Sequence, residues 1–346
     1  YTLHTLFPYT TLFRSLPFDG GTPTSATAVC TCAAEPVMLR LPGEEFWAGK
    51  SELFEGAQPG RILLLDADGP AYVASCTAKT LDTAIRRFIK LALTQMFLTN
   101  SEHGKLYLTA SGCVKAYRDC YPTVKPYQGN RSGKAKPPLL EPLRCAIARI
   151  AAEGGAGLPP ELSVELHHYW EADDAMIMDA HAQGTLGLVE SADKDLRLTP
   201  GPYLEQETGV IDIISDRYGW ISEAYTPAGK LKIKGHGTKF FLAQMLMGDR
   251  ADNVVGLSKL DGKNIAERGT LDFLEPVLDE NEAIDAILRA YIRNGQNALA
   301  EAECLWLRRD QHDSAYKYFM EADLDPRIRN WLKIGRASCR ERVYGE

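Results

Sequence analysis

The feature that most constrains this chain is a short, unbroken apolar run that stops at aspartates, and it occurs twice. Ile62–Leu65 runs into Asp66-Ala67-Asp68-Gly69-Pro70, and Leu186–Val189 runs into Ser191-Ala192-Asp193-Lys194-Asp195. Four apolar residues without polar alternation mark a strand covered on both faces. The Asp66–Pro70 segment reads as a turn after its strand. Between the two runs, Ile85, Phe88, Ile89, Ala92 and Met96 recur at helical spacing, and Leu106–Leu108 reads as another strand. Helices are predicted over Glu141–Ala152 and over Glu171–Gln183, the latter closed by Gly184. Strands alternating with helices predict an α/β fold: a mostly parallel central sheet with helices on both faces. Such sheets bind ligands beyond the carboxyl ends of their strands, so separate segments deliver acidic groups to one edge.

The 346 residues, 45% of them hydrophobic, suffice for one large or two smaller domains. The α/β pattern fills residues 61–220. Within it, 121–138 is a polar, Pro- and Gly-rich stretch carrying Lys125, Arg131, Lys134 and Lys136. After Trp220, helical spacing over Lys239–Met247, Leu260–Arg268, Asn281–Ile292 and Ala298–Leu307 predicts a helical region, 221–332. Residues 1–60 lack periodicity and are expected to form a poorly ordered lead-in. Residues 1–15 and the tail 333–346, which contains Ile-Gly-Arg-Ala-Ser-Cys-Arg-Glu-Arg-Val, resemble translated sequencing adapters and are set apart. No run approaches the roughly 18 apolar residues of a membrane span, so no membrane partner is expected. Eight scattered cysteines without zinc-type spacing fit a reducing cytoplasm.

Four acidic clusters stand out: Asp66/Asp68, Glu171/Asp173/Asp174, Asp193/Asp195 and Asp249/Asp252. Helical spacing puts Glu171 and Asp174 on one face, with Asp173 to the side. A net charge of −7 argues against a nucleic-acid binder unless the acids are gathered around metal ions, which invert the local field. Hard divalent cations take such oxygen donors, and two of them together can serve phosphodiester hydrolysis. Singly, each cluster reads more readily as a cap, a turn or a solvated face than as a site. Their number, and the placing of two at strand ends, favours a metal site.

The series ILLLDADG, KPYQGNR, EADD, SADKD and GDRADN followed by VVGLSKLDGK resembles the 5′-nuclease (flap endonuclease) superfamily, most of all its phage-type 5′–3′ exonucleases. The resemblance spans about Arg61 to Arg309. It implies a PIN-like α/β nuclease domain with a helix–three-turn–helix DNA-binding region at 253–269. It further implies that Asp66, Glu171, Asp173, Asp174, Asp193, Asp195, Asp249 and Asp252 hold two Mg²⁺ or Mn²⁺ ions, with Asp68 shaping the turn. Residues 121–138 correspond to the family's basic arch. There Arg131 would hold a phosphate and Tyr127 would either stack on a base or pack under the loop, with Lys125, Gln128 and Lys134 as further DNA contacts. Gly256, Gly262 and Lys263 match the helix–three-turn–helix, where backbone amides around a K⁺ grip phosphates. The run Lys230–Lys239 adds cations nearby, although it reads equally as a solvated loop. The implied partner is DNA with 5′ ends or flaps, or an RNA–DNA hybrid, bound by a monomer in a bacterial or phage-infected cytoplasm.

The chain departs from the family in two places. Gln128 stands where the family has a lysine, and Leu108–Gly112 lacks the aspartate expected after the second strand. Both departures motivate an alternative, a DNA-binding protein with weakened turnover on the same fold. A second alternative is a haloacid-dehalogenase-type phosphatase, because a strand followed by Asp66-Ala67-Asp68-Gly69 is that family's signature.

Overall fold

The computed structural model describes residues 57–131, 136–155, 157–205 and 209–344; the predicted lead-in lies outside them as far as residue 56. The first strand, β1 (Gln58–Asp66), carries Leu63, Leu64 and Leu65, none more than 2% exposed. Alternation sends Leu63 and Leu65 into one core and Leu64 into another, so both faces of the strand are covered. That is why its apolar run is continuous.

On one face pack α1 (Asp68–Thr77), α2 (Leu81–Leu98) and α3 (Leu140–Ala152); on the other lies α4 (Ala172–Gln183). The sheet adds β2 (Ser101–Thr109), β3 (Leu162–His167), β4 (Gly187–Glu190), β5 (Gly201–Glu205) and β6 (Val210–Ile214). Its order is β3-β2-β1-β4-β5-β6, with every pair parallel except β5–β6. The expected mostly parallel α/β sheet is therefore present. The chain leaves β1 to one side through β2 and β3, then crosses to the other side at β4. The crevice between the carboxyl ends of β1 and β4 is the topological switch point.

Some elements differ from those that periodicity predicts. The segment Asp66–Pro70 is not only a turn: α1 starts at Asp68, with Pro70 in the first helical turn, where its missing N–H costs nothing. The region after Trp220 opens not with a helix but with a hairpin, β7 (Trp220–Tyr225) and β8 (Leu231–His236). Then come α5 (Gly237–Met247), α6 (Glu267–Leu274), α7 (Glu280–Arg293), α8 (Ala298–Leu305), α9 (Ala315–Glu321) and α10 (Pro326–Tyr344), which share a separate core with the hairpin. The helix expected over Leu260–Arg268 is instead a tight Leu260–Lys263 turn followed by α6. Asp261 and Gly262 both take positive φ there, which breaks helical continuation.

One glycine positions the site directly. Gly248 ends α5 at φ +75°, and a Cβ on it would lie 2.4 Å from the Val254 carbonyl oxygen. Its absence lets the Asp249–Val254 loop fold back against the helix end, where Asp249 and Val254 exchange backbone hydrogen bonds of 2.9 and 2.8 Å. Among the described residues no helix is long and apolar enough to cross a membrane.

Candidate active site

At the switch point lies a cavity of about 230 Å³ lined by Asp66, Asp68, Glu171, Asp173, Asp193, Asp195 and Asp252. Asp66 ends β1, Glu171 and Asp173 begin α4, Asp193 and Asp195 follow β4, and Asp252 lies in the loop after α5. These segments are far apart in sequence, and strand ends, a helix start and a loop bring them to one place.

Local structure aims each group. Asp66 accepts from the Asp68 amide (2.9 Å) and the Ser191 hydroxyl (3.3 Å). Asp193 caps the turn Lys194–Leu198 by accepting from the Asp195 amide at 3.0 Å. Thr109, at the end of β2 where an aspartate is expected from the sequence, lines the cavity and accepts from the Ala172 amide at 2.9 Å. It therefore holds the start of α4 rather than supplying a charge.

Charge crowding leaves a clear electrostatic record. Burial, and then the charges of Asp68 and Asp193, push the Asp66 carboxyl up to about 6. Asp195 is pushed up to about 7 by burial and then by Asp193. Burial drives Asp173 well above the usual carboxylate range, reinforced by Asp66, Asp193, Glu171 and Asp174. Burial alone would also raise Asp249, but Lys194 and the Ala251 and Asp252 amides bring it below that range.

The chain's own cations and amides divide the acids into two groups. Arg118, 1% exposed, grips Asp174 with both terminal nitrogens at 2.6 and 2.7 Å and reaches Glu171 at 2.9 Å. Lys194 bridges Asp195 (2.7 Å) and Asp249 (2.6 Å), and Gln244 donates to the same two carboxylates at 2.8 and 3.1 Å. Asp252 takes Arg131 and also Gln128 Nε2 at 3.0 Å. Asp68 pairs with Arg144. Asp66, Asp173 and Asp193 line the cavity without an ion pair of this kind among the described residues.

Two expected ligands do not line the cavity. Asp174 is fully buried and turned to Arg118 and the Arg308 amide (3.2 Å), while Asp173 faces the acids. The shared face expected for Glu171 and Asp174 does exist, but a guanidinium occupies it. Asp249, 5% exposed, is held by Lys194, Gln244 and the Ala251 amide (2.6 Å), which makes it a support beneath Asp195.

The arch residues also differ from expectation. Tyr127 is 9% exposed, and its hydroxyl donates to Glu171 at 2.8 Å, so it packs under the loop rather than offering a stacking face. Gln128 takes φ +52° and donates to Glu171 (3.1 Å) and Asp252 while accepting from Lys115. Arg131 lines the cavity, half exposed. Lys125 is exposed and does not line the cavity, and Lys134 lies outside the described residues. Gly256, at φ +69°, donates to Glu301 at 3.1 Å, and Gly262 and Lys263 form the turn before α6; none of the three lines the cavity.

Arg118, Lys115 and Gln244 lie in no motif, and Lys194, although inside SADKD, is not what that motif draws attention to. The one available signal is arithmetic: so many converging acids require buried cations.

The donor set fits hard divalent cations in its chemistry: all oxygen, mostly carboxylate, at a strand-end crevice. Its geometry is looser. Among the described residues no three His, Cys, Asp or Glu side chains already converge as a closed ligand set. Five of the lining carboxylates, Asp68 and Asp252 included, are held above their usual range, so protons and metal ions compete for the same oxygens. Below the ordinary aspartate range both folded and unfolded chains hold these protons. As pH rises past about 4 the unfolded chain releases them first, so stability falls until pH passes about 6 for Asp66 and about 7 for Asp195. In EDTA, stability is expected to drop by a few kcal/mol between about pH 4 and 7, a tenfold difference in proton affinity being worth about 1.4 kcal/mol. Millimolar Mg²⁺ should restore more of it at about pH 8 than at about pH 5.5, as thermal melts would record. A Mg²⁺ effect independent of pH would contradict this.

Among solved structures, the chain is similar to a bacteriophage T5 flap endonuclease in a pseudo-enzyme–product complex with DNA and metal ions. The identity is 14% and the TM-score 0.46, over 82% of this chain and 95% of that one. It is also similar to the T5 5′-exonuclease with bound zinc, at 13% identity and a TM-score of 0.45, over 82% of this chain and 99% of the other. No family model and no curated protein matches the chain.

Proposed function

We propose that the chain is a divalent-metal-dependent nuclease that hydrolyses DNA at or near a 5′ end. The observation that carries this reading is the gathering of seven carboxylates from distant segments into one cavity at the sheet's switch point. Asp66, Asp173 and Asp193 would hold Mg²⁺ or Mn²⁺, with Asp195, Glu171 and Asp252 beside them. Bound there, such ions polarise a phosphodiester and lower the pKa of a water.

The chain's own groups do the rest. Arg131, half exposed at the rim, offers a fork to a phosphate, and its pairing with Asp252 keeps it aimed at the cavity. Gln128, which by the resemblance stands where the family has a lysine, is backed by Lys115 and would serve as a neutral donor. The buried Arg118 and the Lys194–Gln244 pair neutralise the outer acids, so the inner three remain available to the metal.

Gln128 and Thr109 favour one second reading, a DNA-binding protein with reduced turnover. The phosphatase is disfavoured, because Asp68 heads α1 and is paired with Arg144. A 5′-flap duplex labelled on the flap, incubated with Mg²⁺, is expected to be cut to products bearing a 5′-phosphate, and EDTA should stop the reaction. Binding in Ca²⁺ without cutting in Mg²⁺ or Mn²⁺ would select the second reading. Hydrolysis of p-nitrophenyl phosphate with DNA intact would select the phosphatase.

A further inference from the structure

The run Lys230–Lys239, which reads in sequence as either a DNA contact or a solvated loop, is largely the strand β8, and its register sorts the lysines. Ile221 and Ile233 are buried in the core shared with the C-terminal helices. Alternation therefore turns Lys232 and Lys234 outward, opposite Ala224 and Ser222. Lys230 precedes Lys232 by two residues in the hairpin turn, where its amide donates to Thr226 Oγ1 at 3.0 Å. All three lysines are exposed. At the other end of the same face stands Trp220, 44% exposed and set edge-on to His236 at 5.2 Å. The small partners Ser222 and Ala224 leave the row unobstructed.

This face leads to the site. Lys234 comes within 3.8 Å of Glu205, which also binds Arg197 at 2.5 Å. Arg197 belongs to the turn Lys194–Leu198, which carries Asp195 and is capped by Asp193. The hairpin packs on that turn. A chain of contacts thus joins the basic row, through Glu205 and Arg197, to the turn that carries the cavity's Asp195, in a protein whose total charge is −7.

We propose that this hairpin face is a contact surface for the phosphate backbone of one DNA strand approaching the cavity. The identity of the occupant as DNA rests on the nuclease reading. The spacing supports a backbone: alternate residues of a strand lie about 6.8 Å apart, of the order of the separation of successive phosphates along one strand. Neighbouring lysines therefore meet neighbouring phosphates, and the indole supplies a stacking face at the end of the row. Such contacts position DNA without reading its sequence.

The test uses the full chain and a Lys230→Ala/Lys232→Ala/Lys234→Ala variant, with 5′-flap DNA binding followed by fluorescence anisotropy in EDTA across about 50–200 mM salt. Three lost phosphate contacts should reduce the slope of log K against log salt by about 2.7 and weaken binding about ten- to a hundredfold. The corresponding Lys→Arg triple variant should keep the slope. An unchanged slope in the alanine variant overturns the proposal. If the parent chain cuts DNA while the slope is unchanged, the surface is wrong and the nuclease reading stands. If nothing cuts but the slope falls, the reverse holds.

Discussion

Asp193→Asn and, separately, Asp173→Asn are expected to lower the rate of DNA cleavage by roughly a thousandfold or more, the scale of losing a group that stabilises transition-state charge. Both variants should fold, because Asn preserves the volume and Asp193's capping oxygen. DNA binding should be equal or tighter, since one negative charge leaves a site that receives phosphates. For Asp173 the melting temperature should rise in EDTA: a half-buried carboxyl crowded by Asp66, Asp193, Glu171 and Asp174 is replaced by a neutral amide. Single-turnover cleavage and anisotropy measure the two effects separately. Wild-type turnover in both variants would remove the cavity from consideration as the active site. The contrast with Asp174 sharpens the test, because Asp174 stands outside the cavity and its substitution should register first as a loss of stability.

That loss should be largest for Arg118→Ala. The guanidinium is 1% exposed, binds both oxygens of a fully buried Asp174, and donates to the Trp306 carbonyl at 2.8 Å. Removing one member of a buried pair leaves an uncompensated charge and costs about 3–5 kcal/mol, a third or more of a typical domain's stability. Urea denaturation should show it as a lower midpoint at an unchanged slope. Arg118→Met combined with Asp174→Leu removes both charges and should recover most of the loss, as buried pairs replaced by apolar residues commonly do. Cleavage should stay impaired in the double variant, because Glu171 has lost a donor and the start of α4 is tied less firmly to α8. A cost below about 1 kcal/mol for the single variant would mean that Arg118 is not the bolt between the α/β layer and the C-terminal helices.

The fold is legible in the sequence where period and burial coincide. Leu63–Leu65 announces a doubly covered strand, and Ile85, Phe88 and Ile89 a helix, because both patterns are local consequences of facing a core. The hairpin is only partly legible. Lys230-Leu231-Lys232-Ile233-Lys234 alternates with the period of a strand, but taken as a run of charge it hides that period, and pairing across β7 and β8 is what sets Ile221 and Ile233 together on the buried side. Leu260–Arg268 misleads in the opposite sense, since positive φ at Asp261 and Gly262 is a backbone choice that helical spacing cannot foresee.

At the site, which residues carry charge, and that two acidic groups follow strands, were set by the chain alone: residue chemistry is local, and a strand's carboxyl end is determined by where its apolar run stops. Only the tertiary structure decided which acids face one another and which are neutralised. Asp173 and Asp174 are neighbours with identical chemistry, yet one lines the cavity and the other is locked to an arginine 56 positions away. Partner choice of that kind is a property of packing between distant segments, and no spacing along a single helix encodes it.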